Sequence, residues 1–177
     1  MNRPRSKFLR SFSHKTTFNA GDLIPIYLDM DILPGDTVSM KMASIVRMST
    51  PLFPTMDNAA IDIMFFFVPN RLLWDHWKAF WGENTSPWYQ NVEYEIPQVK
   101  TKSGSVFKEN SLADYMGLPL ETAGLSVSAL PFRAYCKCWS DWFRDENLQS
   151  DAPFFTNDTD IYTDNTYNYT YAGGDLL

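Results

Sequence analysis

The hydrophobic period of this 177-residue chain changes at Pro69-Asn70. Before that point apolar residues recur at every second position. After it they recur at every third or fourth. A period of two places alternate side chains on opposite faces of a strand, and a period near 3.6 lines one face of a helix. The sequence therefore predicts strands first and helices second, within one domain's length of polypeptide.

Ile24, Ile26, Leu28, Met30 and Ile32 alternate with Pro25, Tyr27, Asp29 and Asp31, which predicts a strand. Pro25 lacks an N–H and so favours an edge position. Leu33-Pro34-Gly35-Asp36 reads as a turn, with Pro fixing φ and Gly accepting a positive φ. Thr37 to Met48 alternates again, with Val38, Met40, Met42, Val46 and Met48 on one face and Ser44 interrupting them. Ala60 to Val68 predicts a third strand. Its Met64-Phe65-Phe66-Phe67-Val68 run is apolar on both faces and belongs in a middle layer or under a subunit contact.

From Asn70, a candidate N-cap, to Gly82, a candidate stop, Leu73, Trp74, Trp77, Phe80 and Trp81 form an aromatic face. That predicts a short amphipathic helix. A weak strand follows at Tyr94 to Val99, with a Lys102-Ser-Gly turn after it and a helical turn from Ser111 to Met116, ended by Gly117 and Pro119. The longest predicted helix runs from Pro131 to Gln149. Phe132, Tyr135, Trp139, Trp142 and Phe143 recur at helical spacing, and Lys137 and Asp141 form an i,i+4 pair. Tyr167, Tyr169 and Tyr171 alternate in a last candidate strand.

The net charge of −6 is unevenly spread. Arg3, Arg5, Lys7, Arg10 and Lys15 give residues 1–15 five positive charges and no acid, while the remaining 10 basic and 21 acidic groups leave −11. No basic residue follows Arg144. Residues 1–15 read as a basic flexible arm on an acidic body formed by 16–177. Five cations support weak, salt-sensitive binding to a polyanion. The plainer reading is a solvated tail.

Catalytic and cofactor chemistry is poorly represented. Cys136 and Cys138 stand two apart, so on a helix they point about 200° from each other and cannot chelate one ion. They read as packed thiols. His76 lies on the polar side of an aromatic helix with no nucleophile beside it, and reads as a structural histidine. Asp29 and Asp31 read as solvated strand polarity. No glycine-rich phosphate loop occurs, so no cofactor is expected. The sequons at Asn84, Asn157 and Asn168 read as chance matches, because no apolar export segment follows the basic N-terminus. The longest apolar run, Ile63 to Val68, is far short of the roughly 20 residues of a membrane span.

Six blocks, in order, carry a resemblance. They are His14-Lys-Thr-Thr-Phe-Asn-Ala-Gly-Asp-Leu-Ile-Pro-Ile-Tyr, Leu33-Pro-Gly-Asp-Thr, Pro51-Leu-Phe-Pro-Thr-Met-Asp-Asn, Phe65-Phe-Phe-Val-Pro-Asn-Arg-Leu-Leu-Trp, Asp114-Tyr-Met-Gly-Leu-Pro, and Leu130-Pro-Phe-Arg-Ala-Tyr through Trp142-Phe-Arg-Asp-Glu-Asn-Leu-Gln. Over residues 12 to 150 the chain resembles the N-terminal portion of the major capsid proteins of gokushovirus-type Microviridae. These are small single-stranded DNA phages with T=1 icosahedral shells.

The resemblance implies a mainly β fold with inserted α-helices. It would be a partial viral jelly roll, an incomplete eight-stranded β-sandwich begun by 37–48 and 59–68. The helices would lie in an insertion at about 69–150, and the chain would be a fragment, a truncated frame or part of a split gene. It implies a structural, non-enzymatic role in a virion assembled in the bacterial cytoplasm. The partners would be other copies of the capsid protein, packaged single-stranded DNA and other virion proteins, with no membrane and no cofactor. Arg3, Arg5, Lys7, Arg10 and Lys15 become candidate DNA contacts. Trp74, Trp77, Trp81, Trp139 and Trp142 become candidate packing or subunit-interface aromatics. A second reading is a free-standing single-stranded nucleic-acid-binding module whose tryptophans stack on bases.

Overall fold

Glycines with positive φ set the helix ends. The computed structural model describes residues 5–29, 32–83, 92–101, 105–152 and 154–163. Helix α1 (Trp77–Phe80) ends at Gly82, whose φ is 93°. There Gly82 N–H donates to Ala79 O at 2.9 Å and Glu83 N–H to Lys78 O at 3.0 Å, the paired bonds of a Schellman stop. Helix α2 (Leu112–Tyr115) ends the same way at Gly117, φ 80°. Its start is held by Ser111, whose Oγ accepts from the Asp114 N–H at 3.4 Å. Helix α3 (Leu130–Trp142) carries a proline in its first turn.

Two expected helices are shorter than their patterns suggest. The Asn70–Gly82 face is split into a 3-10 turn, Asn70–Leu72, and α1. The cause is one hydrogen bond. The Asp75 N–H, which a continuous helix would direct at Arg71 O, donates instead to Thr156 O at 3.0 Å. Asn70 makes no side-chain cap; Pro69 holds that position. The Pro131–Gln149 helix stops at Trp142, where the Phe143 and Arg144 N–H groups both donate to Trp139 O. Beyond it polar side chains capture the backbone. Asp145 Oδ1 accepts from Asn147 N–H at 2.9 Å, and Gln149 Oε1 accepts from Asp145 N–H at 3.2 Å.

The sheet has three short strands in the order β2-β1-β3: β1 (Gln98–Thr101), β2 (Ser126–Ser128) and β3 (Ile161–Thr163). β1 pairs antiparallel with β2, Val99 opposite Val127, and parallel with β3, Val99 opposite Ile161. The weak strand expected at Tyr94 to Val99 is thus displaced towards Thr101. β2 and β3 lie inside segments with no strand pattern. The candidate strand at Tyr167 to Tyr171 and the Lys102-Ser-Gly turn lie outside the described residues.

The chain divides into two units. The first, 1–28 with 68–177, holds every regular element found among the described residues. Val99, Phe107, Leu112, Ala113, Ala129 and Phe132 make one buried cluster between β1, α2 and α3. Leu73, Trp74 and Leu130 make another, with Val68, Trp77, Tyr94, Ile96, Ala134 and Phe154 packed on it. Each fully buried Leu, Val or Phe contributes about 1.5–3 kcal/mol of transfer free energy. Within this unit the run 17–23 is tied to α2 and α3, because the Tyr115 hydroxyl donates to Thr17 O at 3.3 Å and the Tyr135 hydroxyl to Leu23 O at 2.7 Å.

The second unit, 29–67, corrects the strand expectations. The expected turn is present: Asp36 N–H donates to Leu33 O at 3.1 Å with Gly35 at φ 89°. Yet no strand occurs among the described residues of 23–32, 37–48 or 60–68. Val38, Met40, Met42, Val46, Met48, Ile61 and Met64 to Phe67 are exposed. Alternation prepares a face for burial, but a strand exists only through its partners across the ladder. No strand ladder is formed by the described residues of these segments.

Candidate functional site

Arg5, Lys7, Arg10 and Lys15 lie exposed on a segment without helix or strand among the described residues. Arg3 lies outside the described residues. Phe8 and Leu9 are exposed as well, but Phe12 stacks on Tyr27 with ring centroids 4.2 Å apart.

The five tryptophans divide by burial. Trp74 is 0% exposed and Trp139 7%, so both are core residues. Trp81 and Trp142 are 69% and 72% exposed. Trp77 is half-buried between them in character, with Trp74 at 6.5 Å and Trp81 at 5.8 Å, both edge-on. Phe80 joins the same group, 5.6 Å from Trp74. The aromatic face thus runs from a sealed ring, Trp74, to an open one, Trp81. α3 shows the same contrast over one turn, from Trp139 to Trp142.

A polar network that the sequence reading missed surrounds Trp74. Its indole N–H donates to Asp158 Oδ1 at 2.5 Å, and His76 Nδ1 lies 2.9 Å from the same oxygen. The His76 ring stacks on Tyr94 at 4.3 Å. Desolvation pushes the Asp158 carboxyl up. Hydrogen bonds from His76 and Trp74 and the charges of His76 and Arg133 outweigh that, and it lies below the usual carboxylate value. Arg133, 1% exposed, donates to three carbonyls: Leu73 O at 3.0 Å, Asn157 O at 2.8 Å and Thr159 O at 3.5 Å. Asp160 accepts from Lys100 Nζ at 2.5 Å and from Gln98 N–H at 3.0 Å. The Lys100 bond, aided by the Gln98 N–H and the Lys100 charge against desolvation, holds its carboxyl low.

Two sequence signals point to this network. Arg133 stands among Leu130, Phe132 and Cys136 on a helix face that is otherwise apolar. And because no base follows Arg144, any partner of Asp158 or Asp160 has to come from upstream. Cys136 is buried and Cys138 half-buried, on different sides of α3. Burial pushes the Cys136 thiol up to about 12, and burial with the Asp141 charge raises Cys138. Lys137 and Asp141 form the expected pair at 3.0 Å. Among the described residues, no three His, Cys, Asp or Glu side chains gather as metal ligands, and no helix is long and apolar enough to cross a membrane.

Trp81 and Trp142 are thus exposed aromatic rings, and Arg5, Lys7, Arg10 and Lys15 are exposed cations. The family described as capsid protein (F protein) matches residues 1–172, and the chain belongs to that family. It is similar to capsid protein VP1 of Bdellovibrio phage phiMH2K, 46% identical over 144 residues, which cover 81% of this chain and 26% of that protein. It is 42% identical to capsid protein VP1 of Chlamydia phage 1 over 167 residues, 92% of this chain and 28% of that one. With capsid protein VP1 of Spiroplasma virus 4 the identity is 38% over 151 residues, 84% and 27% of the two chains. The chain spans about a quarter of the length of these curated relatives.

Proposed function

We propose that the chain is the N-terminal part of a structural, non-enzymatic capsid subunit. The subunit assembles with further copies into a T=1 shell around single-stranded DNA, in a virion built in the bacterial host's cytoplasm. In the whole subunit residues 37–48 and 59–68 then pair with further strands to begin a jelly roll, and about 69–150 is a helical insertion. The observation that carries this reading is the family match over 1–172 together with the exposed apolar alternation of 37–48. Such a face is stable in water only when other strands cover it. Trp81 and Trp142 are the candidate interface rings. Trp74, Trp77 and Trp139 support them from within.

The basic arm, Arg3, Arg5, Lys7, Arg10 and Lys15, is the candidate DNA contact. Five neutralised phosphates on a single strand give a slope of log affinity against log salt of about −3.5. Binding of a single-stranded oligonucleotide, measured by anisotropy from 50 to 300 mM salt on the full chain and on a chain lacking 1–15, tests it. The full chain should show that slope and the shortened chain lose it. Equal slopes would overturn the arm's role.

The exposure of Trp81 and Trp142 favours a second reading, a free-standing module that stacks bases. Trp81→Ala should then weaken oligonucleotide binding about tenfold at constant salt. Under the capsid reading it leaves DNA binding unchanged and impairs assembly of the subunit.

A further inference from the structure

The segment that follows α3 is fastened to the rest of its unit mainly by polar contacts. At its start Arg144 Nε lies 3.0 Å from Asp151 Oδ1, and Ser140 Oγ accepts from the Ala152 N–H at 3.2 Å. Thr156 gives its carbonyl to the Asp75 N–H and its hydroxyl to Asp75 Oδ2 at 2.8 Å. Asp158 pins the middle to Trp74 and His76, and Asp160 pins the end to Lys100 and the Gln98 N–H. Phe154 adds apolar packing to the cluster below, while Phe155 is exposed. A segment with few buried apolar contacts and many polar ones has a low local opening free energy relative to the core it covers.

We infer that residues 154–163 form a latch that opens separately from the helical core, and that ionised Asp158 and Asp160 hold it closed over Trp74 and Arg133. Both pins keep water access, with 46% of the Asp158 side chain and 30% of the Asp160 side chain exposed, so protons reach them without prior unfolding. The groups facing Asp158 are His76 and Trp74 from the 70–77 turns and Arg133 from α3. The group facing Asp160 is Lys100 from β1. Protonating either carboxylate removes the negative charge that these contacts share and turns one acceptor oxygen into a donor, which weakens the bonds from Trp74, Lys100 and the Gln98 N–H. Both pins lie below the usual carboxylate value, so the latch is closed at neutral pH and opens as pH falls through and below about 4. Opening frees one edge of β1 and uncovers the Trp74 indole, which turns a covered part of the unit into accessible surface.

Hydrogen exchange on the full chain, followed by mass spectrometry and corrected for intrinsic rates, tests this. At pH 7, Asp158→Asn and Asp160→Asn should each raise exchange in peptides spanning 152–163 by about tenfold or more. Peptides spanning α2 and α3 should keep their protection. The unaltered chain taken from pH 7 to pH 2.5 should lose protection in 152–163 first, and this arm of the experiment stands even if a variant does not fold. Loss of protection in 152–163 and α3 together would overturn the inference. So would unchanged protection of 152–163 in both variants.

Discussion

The Arg133 guanidinium donates to the carbonyl oxygen of Leu73 at 3.0 Å, across 60 positions of sequence. The same side chain reaches Asn157 O and Thr159 O, so one buried cation ties the 70–73 turn, α3 and the 154–163 segment together. Arg is suited to this because its planar fork offers five donors at fixed angles. Arg133→Met keeps much of the volume and leaves those carbonyls without their donor. It should cost about 3 kcal/mol, read from the denaturant midpoint at unchanged slope. Arg133→Lys, with one point of attachment, should recover only part of the loss.

Trp74 and Trp81 belong to one chain of ring contacts but have opposite exposures. Trp74→Ala should cost about 3–5 kcal/mol, the usual range for deleting a buried large aromatic side chain. Trp81→Ala should change stability by less than about 1 kcal/mol. Thermal unfolding of the two variants side by side checks the contrast. Equal losses would mean that the Trp81 ring is covered within the folded chain.

The parts of the fold that were legible in sequence rest on local chemistry. Pro34-Gly35, Gly82, Gly117 and Pro131 act at their expected places because the conformations they favour are properties of single residues. The helix breaks were not. Asp75 leaves the helical pattern for Thr156, and nothing near Asp75 announces a partner so distant. β2 and β3 were hidden because three-residue strands are too short to display a period. The exposed segments 37–48 and 60–67 are the reverse case, with a clear period and no ladder in the described residues. The tryptophan face was found as a set, but which rings are sealed depends on Asp158 and Phe154, which no periodicity records.

Gly82 and Gly117 both end helices at positive φ, and a Cβ at either would meet open space. A substitution there is therefore strained by backbone conformation alone. Gly82→Ala and Gly117→Ala should each cost about 1 kcal/mol by chemical denaturation. A much larger loss would reveal a steric contact that the open space does not show.

Cys136 is held as a neutral thiol by burial, with its pKa raised from 9.0 to about 12. An acid group raised in the folded state favours folding fully below its unfolded value, and that contribution is lost as pH rises towards the folded one. Stability should thus decline between pH 9 and pH 12. Cys136→Ala should flatten that part of the profile. At pH 8 a thiol reagent should modify half-buried Cys138 well before buried Cys136.

The Trp74–Asp158 hydrogen bond spans 84 positions. A ribosome adding about 5–20 residues per second takes about 4–17 s to cover that distance. Throughout that interval Trp74 has been made and its acceptor has not. The turns at 70–77 cannot settle when they emerge, because Thr156 has yet to take the Asp75 N–H. The helix that their sequence favours is free to form first and then has to break as the later segment docks. The most deeply covered tryptophan among the described residues is therefore among the last to be sealed during synthesis.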